Sequence, residues 1–240
     1  MDTIKVLYQD DDILAVNKPA GLLVHSSLHQ SRQNEATLVD WLRTHHREVE
    51  GVGDPTGLRF RPGIVHRLDR DTSGVMVVAL SQRGFVVLKK QFQDRTVKKE
   101  YVAILRGSLK EKETIITSSI GIKPGTTKRT VFSTKHAKKA TTLVKREMVV
   151  KKNGEMFTLA HIFPKTGRTH QIRVHCNSIH HPVVGDQLYG GKTNALSAPR
   201  MLLHAWRINI NTPDGKPITI TSPIPKSLTN FVKEGTIIEK

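Results

Sequence analysis

The apolar run Val75-Met76-Val77-Val78-Ala79-Leu80 starts directly after nine residues crowded with polar and charged side chains, His66-Arg67-Leu68-Asp69-Arg70-Asp71-Thr72-Ser73-Gly74. That junction constrains the local fold to a strand-like segment entered from a short polar loop. The loop sets two carboxylates among cations. An opposite charge within a few ångströms favours the ionised carboxylate. Such a group can attack or stabilise an electrophile at neutral pH, and the arginines beside it can grip a polyanion. The motif points to an enzyme whose working aspartate, Asp69, faces a phosphate-rich substrate.

The charge balance agrees. Lys and Arg total 38 against 21 acidic residues in 240, a net charge of +17. A surface of that sign attracts nucleic acid or anionic membrane. No apolar run approaches the roughly 20 residues that span a bilayer, and no strongly amphipathic basic helix stands out, so no membrane partner is expected. Between Glu113 and Glu147 there is no acidic residue, while Lys123, Lys128, Arg129, Lys135, Lys138, Lys139, Lys145 and Arg146 all fall there. Spread over strands and turns, these would form one basic surface able to track a phosphate backbone. The single cysteine, Cys176, rules out an intrachain disulfide and fits a cytoplasmic setting.

Two short strands are expected over residues 4–8 and 13–17, joined by the turn Gln9-Asp10-Asp11-Asp12, and a helix over 37–45. Residues 51–63 carry Gly and Pro at close intervals and read as loop. Residues 81–95 read as a helix with Phe85, Leu88 and Phe92 toward a core. Residues 97–105 alternate as a half-buried strand carrying Tyr101. A strand-and-turn region runs to Phe163. A helix follows over 169–179 with Ile172, Cys176 and Ile179 on one face, then a strand over 201–210 and a terminal helix over 227–234. Strands and helices mix without βαβ alternation, so the class is α+β. No linker divides the chain, and one domain over 1–240 is expected.

A second polar cluster, Lys165-Thr166-Gly167-Arg168-Thr169-His170-Gln171-Ile172-Arg173-Val174-His175, is a loop feeding a helix, a setting that suits anions. Arg168 and Arg173 add fixed cations, and Arg173 reaching Asp69 would orient and charge it. Tyr101, beside Lys98 and Lys99, could stack a nucleobase. His175, Cys176, His180 and His181 are near neighbours, but CxxC and HExxH pairs are absent, so no metal site is expected. Asp69-Arg70-Asp71-Thr72 also resembles the DxDxT nucleophile of haloacid-dehalogenase-type phosphatases. That family places an apolar strand before the motif, whereas Val65-His66-Arg67-Leu68 is half polar here.

Taken in order, six segments resemble the RluA-type pseudouridine synthases. They are Ala15-Val16-Asn17-Lys18-Pro19-Ala20-Gly21, Arg61-Pro62-Gly63-Ile64-Val65 running into His66-Arg67-Leu68-Asp69, and Lys99-Glu100-Tyr101. Then come Thr166-Gly167-Arg168-Thr169-His170-Gln171-Ile172-Arg173, His181-Pro182-Val183-Val184-Gly185-Asp186, and Leu203-His204-Ala205. The resemblance implies isomerisation of uridine to pseudouridine in structured ribosomal or transfer RNA, with no metal or cofactor. It implies a mixed, mostly antiparallel sheet flanked by helices, with a cleft across its middle. Asp69 matches the family's catalytic aspartate, Tyr101 the tyrosine stacked on the target base, and Arg173 the arginine paired with the aspartate. Arg67 matches a residue entering the RNA stack as the uridine leaves, and Leu203 an apolar residue packing on the uracil. His66, Arg168, His170, Lys138 and Lys139 are the further expected RNA contacts. A flipped nucleotide costs a few kcal/mol to extrude, and RNA loops offer bases already partly unstacked. Some relatives carry an N-terminal S4 module. This chain starts almost at the catalytic motifs, so no such module is expected. A monomer is expected.

Overall fold

The computed structural model describes residues 4–25, 35–55, 61–126, 128–132, 136–191 and 198–239. Lys135 of the basic stretch and residues 56–60 of the Gly/Pro loop lie outside them. In chain order the elements are β1 (Lys5–Gln9), β2 (Ile13–Lys18), α1 (Leu38–His45), β3 (Ser73–Ala79), α2 (Gln82–Gln93), β4 (Lys98–Arg106), β5 (Glu113–Ile122), β6 (Arg129–Thr130), β7 (Lys138–Lys152), β8 (Glu155–Pro164), α3 (Gln171–Ser178), β9 (Leu203–Asn211), β10 (Pro217–Thr221), α4 (Lys226–Lys233) and β11 (Thr236–Glu239). They form two compact units, residues 1–98 with 205–223 and residues 99–204 with 224–240. The ladders β1–β2, β2–β3, β9–β10, β4–β8, β5–β6, β5–β7, β7–β8 and β7–β11 run antiparallel, as a mostly antiparallel α+β sheet predicts.

In the first unit β2 lies between β1 and β3. The β1–β2 turn forms because the Asp10 carboxylate accepts the N–H groups of Asp12 (2.9 Å) and Ile13 (2.7 Å). Every residue of β3 is buried, which explains its unbroken apolar run. Gly74, at φ +120°, opens that strand where a Cβ would lie 2.1 Å from the Ala205 carbonyl oxygen, so no side chain fits. Thr37 and Asp40 close a capping box on α1. Ser81 caps α2 through the Gly84 N–H, and Phe85 and Leu88 enter the core as the spacing predicts. Phe92 is only half-buried and turns to another partner.

In the second unit the strand order is β4-β8-β7-β5-β6. The long β7 pairs with β8 along one edge, and with β5 and then β11 along the other. Helix α3 sends Ile172 and Cys176 into a core with Ala103, Leu105, Ile162, Val183 and Leu203. Truncating Leu105 to Ala there would cost about 2–5 kcal/mol. The helix begins at Gln171 rather than 169, because His170 sits at φ +56°, outside the right-handed helical region. β11 lies outside the elements read from the sequence, since all four of its residues are exposed and carry no burial alternation.

Candidate active site

In the first unit the loop around Asp69 is tied down on both sides. Lys18 ends β2 and is fully buried. Its ammonium donates to the carbonyls of Pro19 (2.7 Å), Leu22 (2.8 Å) and Arg70 (3.0 Å). A buried ammonium is tolerable only with such partners. The Arg70 carbonyl also accepts the Gly21 N–H at 2.9 Å, and Arg70 Nε donates to the Gly21 carbonyl at 3.0 Å. Leu68 is buried, and the Asp69 carbonyl accepts the Thr72 N–H at 3.1 Å. His66 Nε2 accepts the Val77 N–H at 2.9 Å, so the neutral ring carries its proton on Nδ1. The same ring stacks on Phe92 with centroids 4.6 Å apart. Asp69 stays half-buried and Arg67 exposed, with Arg67 Nη1 3.5 Å from His25 Nε2.

In the second unit Arg173 projects from α3 into a fork made by Asp186. Nε donates to Oδ2 at 2.7 Å and Nη2 to Oδ1 at 2.9 Å, with both side chains buried. Oδ1 also accepts the N–H groups of Leu188 (2.9 Å) and Tyr189 (3.1 Å). The Tyr189 ring faces the guanidinium at 5.1 Å, its hydroxyl bonds His170 Nδ1 at 2.8 Å, and it accepts the Arg129 N–H at 3.0 Å. The Gln171 side chain accepts from Thr166 Oγ1 (2.6 Å) and the Arg168 N–H (3.0 Å), and donates to the Thr141 carbonyl and Thr142 Oγ1. The segment from 166 to 173 is thus braced onto β7. Arg168 Nε donates to the Lys139 carbonyl at 3.3 Å. Lys99 Nζ lies 3.4 Å from the Thr166 carbonyl, and desolvation pulls its ammonium down to about 8. Tyr101 sits opposite Ile162 in the β4–β8 ladder, half-buried against the core.

The structure therefore gathers His66, Arg67 and Asp69 on one braced loop, and Arg168, His170 and Arg173 on another. Lys138 and Lys139 are exposed at the start of β7. Leu203 is 2% exposed and belongs to the second unit's core. The basic stretch is shorter than the sequence suggests. Lys145 Nζ pairs with Glu113 at 2.6 Å, and Arg146 is bound by Glu239 and the Leu109 carbonyl. Those carboxylates come from outside the acid-free run, so counting charges along it overstates the open surface. Lys123, Lys128, Lys138 and Lys139 remain as exposed lysines of that region.

His175 hydrogen-bonds Ser118 Oγ and Thr142 Oγ1, and burial holds its imidazole near 4. Cys176 is buried, which pushes its thiol up to about 12. Among the described residues no His, Cys, Asp and Glu group could hold a metal, and no helix is long and apolar enough to cross a membrane. β3 follows Asp69 and Asp71, the reverse of the phosphatase order. The family segments contain Lys18 and Asp186 without giving them a role, and sequence reasoning missed Tyr189. Lys18 closes an apolar strand before a proline, which is a usable signal for a buried ammonium. Asp186 and Tyr189 meet Arg173 only through the turn at Gly185, where φ is +77° and a Cβ would lie 2.2 Å from the Arg200 carbonyl oxygen.

Comparison with known proteins converges on one group. The sequence model of the family described as RNA pseudouridylate synthase matches residues 12–178. The ribosomal large subunit pseudouridine synthase D of Nitrosomonas europaea is 36% identical over 233 residues, covering 94% of this chain and 63% of that protein. An uncharacterized RNA pseudouridine synthase of Aquifex aeolicus is 41% identical over 202 residues, 83% of this chain and 60% of the relative. The chain thus spans 63% and 60% of the length of these two relatives. The solved structure of human RNA pseudouridylate synthase domain containing 1 superposes with a TM-score of 0.79 at 27% identity, over 99% of this chain and 90% of that one.

Proposed function

The chain belongs to the RluA-type RNA pseudouridylate synthase family, and from that premise we propose that it isomerises specific uridines to pseudouridine in structured RNA, ribosomal, transfer or both. The reaction breaks the N1–C1′ bond, turns the uracil, joins C5 to C1′ and releases the C5 proton to solvent while N1 gains one. No atom is added or lost, and no metal or cofactor takes part. Asp69 is the catalytic carboxylate, acting either on the ribose C1′ or on the base. Tyr101 stacks on the flipped uracil and assists the C5 proton's departure, and Arg173 is the cation assigned to the aspartate. Arg67 fills the vacated stack. His66, Arg168, His170, Leu203, Lys138 and Lys139 contribute to holding the RNA or the base.

The observation that carries this reading is the immobilised loop around Asp69, clamped through Lys18, Arg70, Thr72 and His66. A carboxylate whose supporting backbone is already fixed loses little reorganisation energy in reaching the transition state. We assign the whole of 1–240 to one catalytic domain that works as a monomer in the cytoplasm. The test is conversion of uridine in protein-free ribosomal and transfer RNA, read by pseudouridine mapping, with and without EDTA. Full conversion in EDTA is expected. Loss of activity with chelator and recovery with magnesium would contradict the reading.

A further inference from the structure

Phe132 is 90% exposed, the only aromatic among the large exposed hydrophobic residues described. It directly follows β6, whose Arg129 and Thr130 pair with Ile122 and Gly121 of β5. Two bonds hold that position. The Phe132 N–H donates to Thr130 Oγ1 at 3.2 Å, and the Arg129 N–H donates to Tyr189 Oη at 3.0 Å. β6 is thus pinned to the residue whose ring covers Arg173. Exposed Lys128, His136, Lys138 and Lys139 flank it in sequence, in a run without an acidic residue, and Val131 beside it packs on the cluster of Ile120, Ala140 and Val174.

An isolated ring in open solvent contributes nothing to folding. A docking face for a protein would need a contiguous apolar patch of several hundred Å², whereas one phenyl ring between lysines offers a single π-face beside cations. That combination matches single-stranded nucleic acid, whose bases stack while its phosphates meet the charges. We propose that Phe132 is a stacking platform for an unpaired RNA base outside the reacting uridine, with Lys128, Lys138 and Lys139 on the adjoining phosphates. The inference rests on the proposed RNA activity and adds a base-stacking position just after β6.

The probe is a fluorescein-labelled oligouridylate, with an abasic ribose-phosphate strand of equal length as control, measured by anisotropy. Phe132→Ala and Phe132→Leu should weaken oligouridylate binding by about 5- to 150-fold, the range that one base–aromatic stack supplies. Phe132→Tyr should bind as the parent does. On the abasic strand all four proteins should bind alike. Unchanged melting temperatures would show that the fold is intact, as expected at so exposed a position. Equal oligouridylate affinity for Phe132→Ala and the parent overturns the proposal and leaves the RNA activity standing. A parent chain that binds neither strand also overturns the stacking proposal, whereas the RNA activity is judged separately by pseudouridine mapping of structured RNA.

Discussion

Arg173 and Asp186 form a buried, two-pronged ion pair thirteen residues apart, with Nε–Oδ2 at 2.7 Å and Nη2–Oδ1 at 2.9 Å. Two of the five guanidinium donors are fixed by it, so the plane and direction of Arg173 are set before any substrate arrives. Asp186→Ala leaves a desolvated cation without this partner. Urea unfolding should show a loss of about 3–5 kcal/mol. A loss under about 1 kcal/mol would mean that the pair does not organise this part of the fold.

Lys18 and the Arg70 carbonyl make the corresponding tie in the first unit. Lys18→Met keeps the length of the side chain and removes three hydrogen bonds to backbone carbonyls. Stability should fall by at least about 2 kcal/mol. Pseudouridine formation at saturating RNA should drop by as much as about 100-fold, since small displacements of a reacting group cost that much. Full turnover in a folded Lys18→Met protein would show that Asp69 needs no such brace.

His175 supplies a pH signature. Its imidazole is held near 4 against an ordinary 6.5, by burial. Between those values the unfolded chain takes up a proton that the folded chain refuses, so stability is complete above 6.5 and lost as pH falls toward 4. The loss amounts to at most about 3 kcal/mol. Thermal melting should decline with acid across that window, and the decline should be shallower in His175→Gln. An identical slope in the variant would remove His175 as the cause.

The elements that the chain announces are those with a periodic or an unbroken apolar run. β2, β3, α1 and α2 lie where apolar spacing and the Thr37 and Ser81 caps put them. The misses share another physical origin. His170 makes α3 begin two residues late through a backbone angle that no side-chain period encodes. Arg146 finds Glu239 from 93 positions away, so its charge was legible but its neutralisation was not. Of the site, the Asp69 and Arg173 motifs were readable, while Lys18, Asp186 and Tyr189 acquire their roles only through tertiary packing.

The exposed lysines make a prediction about salt. Lys138→Glu combined with Lys139→Glu should weaken RNA binding and flatten its dependence on salt concentration. On a single strand the log–log slope should fall by about 0.7 for each phosphate no longer neutralised. An unchanged slope would place the RNA elsewhere on the surface.

The central claim is that the Asp69 carboxylate performs chemistry rather than grip. It is tested most directly by Asp69→Asn, comparing pseudouridine formation with RNA affinity in one preparation. The account predicts no detectable product with affinity close to that of the parent. Product at a near-parental rate would contradict it.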